Sequence, residues 1–555
     1  GRGMLAKIAI AKGDLALAEK VMREGVDLRA AASPAQHPDL LVERALLLLV
    51  QSRAGSRSRA ELVTEANDIF ARAKANAAAN PAADLTIAAR GTFQYLAEVF
   101  QRSGAIDAAF EAQQWTVRGS VDTAAAVAAQ RRVAASDPAA AKALEERRKL
   151  AAERGAAMTA IEAQLAAPKS DFDLAAANAR LSRIDADMVR LDAELSARKI
   201  DTGRFVTVSL GDARRQLGKG ELFLQVTPAH DRMMVTALGP DSTIQYLSSA
   251  DAREMQGSVE RLRAALDPAG ADKPFDASLS AAVYRGLVSP QLDRQLRRTR
   301  HLQVSAHGPL GAVPFALLVP EKQGKSFLID LMDVTRLAGA PRRDSGAGAP
   351  PAARMLGLGG AGSGAVAGSE AVRGGKVEGL DRLPPLPEAA GELAKIAEAV
   401  NDRQPVILTG PAATKSALFS QKIERGTVVA FATHGLVSGE FEGLSEPALF
   451  LNPAGKDDGL LTASEIARLA LPASWVILSA CNTAAGSGPD APSLSGLAQA
   501  FILAGADTIL ATHWPVRDDV ASAVSAGTLR HAGKGAAPAE ALRPSLADLR
   551  KSARA

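Results

Sequence analysis

The chain is short of the residues that staple or anchor a fold. It has one cysteine in 555 residues, so no intrachain disulfide can form and a reducing compartment is permitted. No run approaches the roughly 20 apolar residues of a membrane helix, and no signal peptide is visible. The chain begins Gly1-Arg2-Gly3-Met4 without an initiator methionine. A cytoplasmic location is therefore expected, with export left open. Lys plus Arg number 65 against 61 Asp plus Glu, and the net charge of +4 is too small to imply a nucleic-acid or membrane partner. The one basic run, Arg294, Arg297, Arg298 and Arg300, reads as a solvated helix end. Seven histidines and a lone cysteine offer no zinc-ligand spacing, so no metal or cofactor is expected.

What is abundant in the first 200 residues is Ala, Leu, Glu, Arg and Lys, which favour helices, and strand signals there are sparse. Leu5-Ala6, Gly13-Asp14 and Ala18 set out a helix–glycine–helix layout that Leu96-Ala97, Phe100, Gly104 and Ala109 repeat more fully. This layout resembles degenerate tetratricopeptide repeats over 1–137; a generic helical hairpin is the plainer alternative. Over 138–202, Leu144, Leu150, Ile161, Leu165, Leu181, Ile184, Met188, Leu191 and Leu195 stand among charges. They predict two long amphipathic helices broken near Pro168-Lys169-Ser170-Asp171, a spacer or a coiled coil for a partner.

From 203 onward, short apolar strands alternate with helices, which predicts an α/β domain with a mainly parallel sheet over 203–555. Expected strands include 204–208, a hairpin of 221–226 with 233–238, 301–305, and five more near 405–408, 427–433, 447–451, 474–480 and 507–511. Expected helices include 251–266, 277–298, 389–401, 413–423, 463–469 and 495–504. The Gly-, Ala- and Pro-rich stretch 339–388 reads as a long, partly disordered loop with one short strand.

Two apolar strands end on reactive residues. Val428-Val429-Ala430-Phe431-Ala432-Thr433 runs into His434-Gly435, and Trp475-Val476-Ile477-Leu478-Ser479-Ala480 runs into Cys481-Asn482-Thr483. A thiol and an imidazole at the carboxyl ends of parallel strands make a nucleophile with a nearby acid or base. His434 precedes Cys481 by 47 residues; in caspases the histidine lies about 50 residues upstream. Alone, Thr433-His434-Gly435 would be an ordinary satisfied histidine and Cys481 a small buried hydrophobe. The pairing turns both readings toward catalysis.

These two segments resemble the CHAT domain, a caspase-like family related to separases and gingipains and found beside tetratricopeptide repeats. His301-Leu302-Gln303-Val304, Gly308-Pro309-Leu310 and Val313-Pro314-Phe315-Ala316-Leu317-Leu318 are similar to its early strand and turn. Leu497-Ala498-Gln499-Ala500-Phe501, Ala504-Gly505-Ala506 and Trp514-Pro515-Val516 with Asp518 are similar to the stretch after its cysteine, and Ala539-Glu540-Ala541-Leu542 fits its late helix. The resemblance implies a bacterial-type cysteine endopeptidase acting on a protein substrate. Cys481 attacks, His434 moves protons, the N–H groups of Gly435 and Cys481 stabilise the oxyanion, and the helical repeats bind a substrate or regulator protein. The family's domain closes on an aromatic-rich strand, whereas this chain ends on a helix, so a missing edge strand is expected.

Asp490, Asp507 and Asp518 lie near Cys481 or a neighbouring strand end in sequence, and would favour a basic residue before the scissile bond; Asp507 and Asp518 are the substrate-binding candidates. His307 and His513, also at strand ends, are alternative bases. Gly357-Leu358-Gly359-Gly360-Ala361-Gly362 satisfies a dinucleotide-loop string with no helix behind it, and Gly410-Pro411-Ala412-Ala413-Thr414-Lys415-Ser416 lacks the glycine that a phosphate loop places before lysine. Two rival functions remain: an inactive caspase-like scaffold for protein–protein interaction, and an acyltransferase using the same dyad.

Overall fold

The computed structural model describes residues 2–79, 85–118, 138–166, 173–197, 205–266, 275–320, 326–341, 352–360, 377, 379–455, 457–479, 494–514 and 516–552. They divide into two units, Gly1–Leu210 with Thr227–Met234, and Gly211–Val226 with Val235–Ala555.

The first unit is helical: α1 (Arg2–Ala11), α2 (Leu15–Ala32), α3 (Pro38–Ala54), α4 (Arg59–Ala79), α5 (Ile87–Ser103), α6 (Ile106–Thr116), α7 (Pro138–Ala166) and α8 (Leu174–Ala197). Consecutive helices from α1 to α6 pack on each other. The turn expected at Gly104 is there: its φ of 82° lets Ala105 N–H reach back to Phe100 O, closing α5 before α6 begins. Gly13, at φ 77°, does the same between α1 and α2, and Asp14 then caps Leu17 N–H. Phe70, Phe93, Phe100 and Trp115 form the aromatic core, with ring centroids 5.4–5.9 Å apart. Arg53 forks onto the fully buried Glu98 at 2.9 and 3.0 Å and also holds Asp231.

The two long helices foreseen before residue 202 are α7 and α8. They pack as an antiparallel pair through Ala140, Ala143, Leu191 and Leu195 at one end and Met158, Ile161 and Leu181 at the other. Arg147 ties α7 to the carbonyls of Ala78 and Ala79, so the pair docks on α4 rather than standing as a free spacer. Of the strand expected over 204–208, residue 204 lies outside the described residues and 205–208 are not in a strand. Val208 exchanges both its backbone groups with the side-chain amide of Gln114, at 2.8 and 2.9 Å, and Phe205 packs on Trp115. A glutamine thus takes the place of a strand partner.

The second unit is α/β. It contains α9 (Leu210–Arg215), β1 (Glu221–Pro228), β2 (Arg232–Leu238), β3 (Thr243–Asp251), α10 (Ala252–Ala264), α11 (Ala277–Leu287), α12 (Pro290–Leu296), β4 (His301–Ala306), α13 (Leu328–Leu331) and β5 (Asp333–Arg336). These strands make a sheet of order β3-β2-β1-β4-β5, with β1, β4 and β5 parallel. The helix expected over 277–298 is two helices, because Ser289 caps Leu292 N–H and Pro290 starts a new helix instead of continuing the old one.

A second sheet follows, built from β6 (Arg354–Gly359), α14 (Ala389–Val400), β7 (Val406–Thr409), α15 (Lys415–Phe419), β8 (Thr427–Ala432), β9 (His434–Leu436), β10 (Ala448–Phe450), β11 (Leu460–Thr462), α16 (Ala463–Ile466), β12 (Trp475–Leu478), α17 (Gly496–Ala504), β13 (Thr508–Ala511), α18 (Asp518–Gly533) and α19 (Pro538–Ser552). Its order is β13-β12-β8-β6-β7, and the four pairings are parallel. β9, β10 and β11 form a small antiparallel sheet beside it.

Both faces of the parallel sheet are covered, which is why its strands read as unbroken apolar runs. On β8, Val428 and Ala430 face Leu393, Ile396 and Leu529, while Val429 and Phe431 face Leu497, Phe501 and Ile466. Each such large side chain contributes about 1.5–3 kcal/mol on burial. β6 carries the glycine string: a Cβ on Gly357 would lie 2.9 Å from Leu393, so the residue is small to let α14 approach. Among the described residues no helix is long and apolar enough to cross a membrane.

Candidate active site

β8 and β12 are adjacent and parallel, with Phe431 opposite Leu478, and the N–H of Ser479 still bonds Phe431 O at 3.0 Å. Both chains therefore leave the sheet at the same carboxyl edge, where open α/β sheets place their sites. His434 stands three residues beyond Phe431, and Cys481 comes three residues after Leu478 in the chain. Cys481, Asn482, Thr483 and Asp490 lie outside the described residues.

His434 is half-buried at the start of β9, and its Nε2 is 2.8 Å from Pro384 O. A carbonyl only accepts, so Nε2 carries the proton and Nδ1 keeps the ring's lone pair. The geometry has a local cause. Leu380 and Leu383, just before Pro384, are buried against Leu436, Ala448, Phe450 and Leu460 of the small sheet. The buried Thr433 hydroxyl donates to Phe450 O, and Phe450 is opposite His434 in the β9–β10 ladder. One apolar cluster thus fixes the imidazole and the carbonyl that orients it. Gly435, the expected oxyanion donor, is opposite Leu449 in the same ladder. The sequence reading missed Pro384, since a backbone carbonyl leaves no side-chain signature.

It also missed Glu392. Ala389, Leu393, Ile396, Ala397 and Val400 form the buried stripe of α14, and Glu392 sits within that stripe. It is 6% exposed, and its Oε1 has no hydrogen-bond partner among the described residues. Burial pushes its pKa up to about 7; the hydrogen bond from Ser479 opposes the rise, and the charge of Asp518 adds to it. An acidic residue inside a helical apolar stripe was the available signal.

Asp507 does not belong here. It precedes β13 at the sheet's amino edge, its N–H bonds Ala473 O, and its carboxylate pairs with Arg425 at 3.2 Å. One strand length separates it from the edge that bears His434. Asp518, by contrast, opens α18 on an exposed turn, and α18 packs on α14. His307 ends the other sheet, buried, with Nε2 2.9 Å from Ser305 Oγ. His513 lies two residues past β13, and burial plus the charges of Arg336 and Arg263 press its pKa down to about 3. It stays neutral and is a poor base.

The phosphate-loop string is also explained. Lys415 Nζ is enclosed by Asp457 at 3.0 Å, Asp458 and Glu465 at 3.3 Å, and Leu460 O at 3.0 Å, so its charge is taken. Among the described residues no group of three or more His, Cys, Asp or Glu could hold a metal.

The CHAT domain family matches residues 278–555. No curated protein matches the sequence. A chain in the crystal structure of the Saccharomyces cerevisiae separase–securin complex is similar over 98% of this chain, at 10% identity and a TM-score of 0.36. The present chain spans 48% of that one's length. The family match covers half of the sequence and takes in His434, Cys481 and the parallel sheet: the chain belongs to the CHAT domain family.

Proposed function

We propose that the chain is a cysteine endopeptidase that cleaves a protein substrate through Cys481 and His434. The observation that carries this reading is the in-register pairing of β8 and β12, which sends both residue-bearing segments out of one sheet edge. The Cys481 thiolate attacks the scissile carbonyl carbon and forms a tetrahedral oxyanion. Collapse to the thioester expels the amine, which takes its proton from the imidazolium of His434. Water then adds to the thioester, His434 accepts the water's proton, and the thiol is released with the free acid.

The hydrogen bond from His434 Nε2–H to Pro384 O supports this assignment. It holds the tautomer in which Nδ1 can take the thiol proton, a task that a carboxylate performs in other triads. Gly435 N–H and Cys481 N–H serve as oxyanion donors, each worth roughly 3–4 kcal/mol in comparable sites. The helical unit recruits the substrate or a regulator.

The test is covalent labelling of the full chain with a library of peptidyl acyloxymethyl ketones. Labelling should map to Cys481 and vanish in Cys481→Ala. His434→Ala should slow it by about 100-fold or more. Absence of labelling by every probe in the library would leave the non-enzymatic scaffold as the better reading.

A further inference from the structure

The basic run before β4 reads in sequence as a solvated helix end, and the fold gives it a neighbour. Beside it is a cavity of about 220 Å³, lined by residues of α11, α12 and α13. Thr299, two residues before β4, and Met332, just before β5, both line it, which places it at the amino ends of these parallel strands. Leu296, Pro320, Leu328 and Met332 give it buried apolar walls. Leu331 also lines it and is 37% exposed, so the apolar surface opens to solvent.

The acidic groups around the cavity are already matched. Tyr284, which is buried, donates its hydroxyl hydrogen to Asp293 Oδ1 at 2.8 Å, and Arg297 Nε donates to Asp293 Oδ2 at 3.1 Å. Burial, together with the adjoining Asp293 carboxylate, pushes the Tyr284 pKa up, so the phenol remains a donor. Asp330, beside Leu331 in the chain, pairs with Arg550. Arg294 and Arg298 are left over. Both are exposed, and neither guanidinium forms an ion pair or hydrogen bond among the described residues. Arg294 adjoins Asp293 in the chain, and Arg298 stands between Arg297 and Thr299, so both border lining residues.

We propose that this cavity and the two free arginines form a docking site for an acidic peptide segment of a partner protein, with one large apolar side chain seated in the cavity. Size selects the anchor. An apolar cavity of about 150 Å³ holds a benzene ring, whereas drug-sized ligands need roughly 300 Å³ or more. A cavity of about 220 Å³ takes one leucine, methionine or phenylalanine side chain. Charge selects what flanks the anchor: carboxylates next to it meet two cations that have no other partner among the described residues. A bare polyanion would engage the arginines and leave the apolar walls uncovered. The position suits docking, because open α/β sheets place their chemistry at the carboxyl edge and this is the amino edge of β4 and β5. The site stands whether or not the chain is a peptidase.

Fluorescence anisotropy on the full chain tests this. The probes are labelled decapeptides with one central leucine, methionine or phenylalanine and three glutamates on one side of it or the other. At least one should bind with a Kd on the order of 10–100 μM at low salt. Alanine at the anchor, or glutamine for the glutamates, should weaken it about 10-fold or more. Raising salt from about 50 to about 300 mM should weaken it about 5-fold. Arg294→Glu with Arg298→Glu should abolish binding, and Leu331→Gln should weaken it about 3- to 10-fold. All three positions are exposed, so circular dichroism should be unchanged. A photo-leucine at the anchor should crosslink within 296–299 or 328–332. Binding that ignores the anchor, binding that survives the arginine substitutions, crosslinks that map elsewhere, or no binding by any peptide at about 1 mM overturns the proposal. If phosphatidylserine vesicles or single-stranded RNA bind through the same arginines while no peptide does, the face is a polyanion surface and the peptide site is refuted.

Discussion

Replacing Glu392 with glutamine should stabilise the protein, and should do so only above mildly acidic pH. In the unfolded chain the carboxyl titrates at its ordinary value of 4.5, and in the fold at about 7. Between those values the native state holds a proton that the unfolded state has lost. Stability therefore falls as pH rises from 4.5 to 7, and the full penalty applies above 7. The gap of 2.5 units corresponds to about 3 kcal/mol at 1.36 kcal/mol per unit. Glutamine keeps the shape and an acceptor for Ser479 and has no charge to bury. Urea unfolding of the full chain and of Glu392→Gln, read on the transition of the α/β unit at pH 5 and pH 8, measures the difference. The variant's advantage should grow by about 2–3 kcal/mol from the lower to the higher pH. An advantage that is the same at both would show that the carboxyl ionises normally, and that the burial argument is wrong.

Three other changes probe other parts of the second unit. Leu383→Ala loosens the cluster that holds Pro384, and should lower turnover of a cleaved peptide about 10-fold with little change in KM, because the imidazole is displaced and the substrate contacts are not; an unchanged turnover would detach Pro384 from the mechanism. Lys415→Met leaves the partly exposed Asp457, Asp458 and Glu465 facing one another, and should cost about 1–2 kcal/mol at pH 7 and less at pH 4.5, by urea titration at both. Gly357→Ala puts a Cβ 2.9 Å from Leu393 and from Met355, and should lower unfolding free energy by about 1–3 kcal/mol without altering the helix content seen by circular dichroism.

Strand positions in the parallel sheet were readable because burial on both faces writes itself as unbroken apolar runs, such as Val428-Val429-Ala430-Phe431 and Trp475-Val476-Ile477-Leu478. The first sheet was harder. In β3 only Ile244 and Ser248 are buried, with half-buried residues between them and Ser249 and Asp251 exposed, and β5 is four residues long, so neither offers a run. The segment 204–208 misled for the opposite reason: it has the composition of a strand, but the backbone groups of Val208 are taken by Gln114. At the site, side chains at strand ends were legible, while Pro384 acts through its carbonyl and Glu392 through its place in an otherwise apolar stripe. Asp507 was misplaced because nearness in sequence to a strand does not say which end of that strand a residue occupies.

Buried charge alone does not identify a binding site, and this protein contains the contrast needed to see why. Arg336 is desolvated at the end of β5 with no carboxylate bonded to it among the described residues, and Glu392 is buried with no cation bonded to it among them. Yet Arg336 donates to Val313 O at 2.7 Å, Gly311 O at 3.0 Å and Ala306 O at 3.3 Å, and its guanidinium lies 5.9 Å from the Phe315 ring centroid. Arg263 likewise donates to Ala312 O at 3.0 Å. Two cations take up the carbonyl groups of one tight turn, although Arg336 Nε itself has no hydrogen-bond partner among the described residues. That arrangement holds the turn following β4. Around Glu392 fewer groups are engaged: the Ser479 hydroxyl bonds it, the charge of Asp518 opposes its ionisation, and Oε1 has no hydrogen-bond partner among the described residues. The guanidinium thus gives three donor bonds to the turn it holds, whereas the carboxyl of Glu392 takes one from Ser479 and is pushed by burial toward its neutral form.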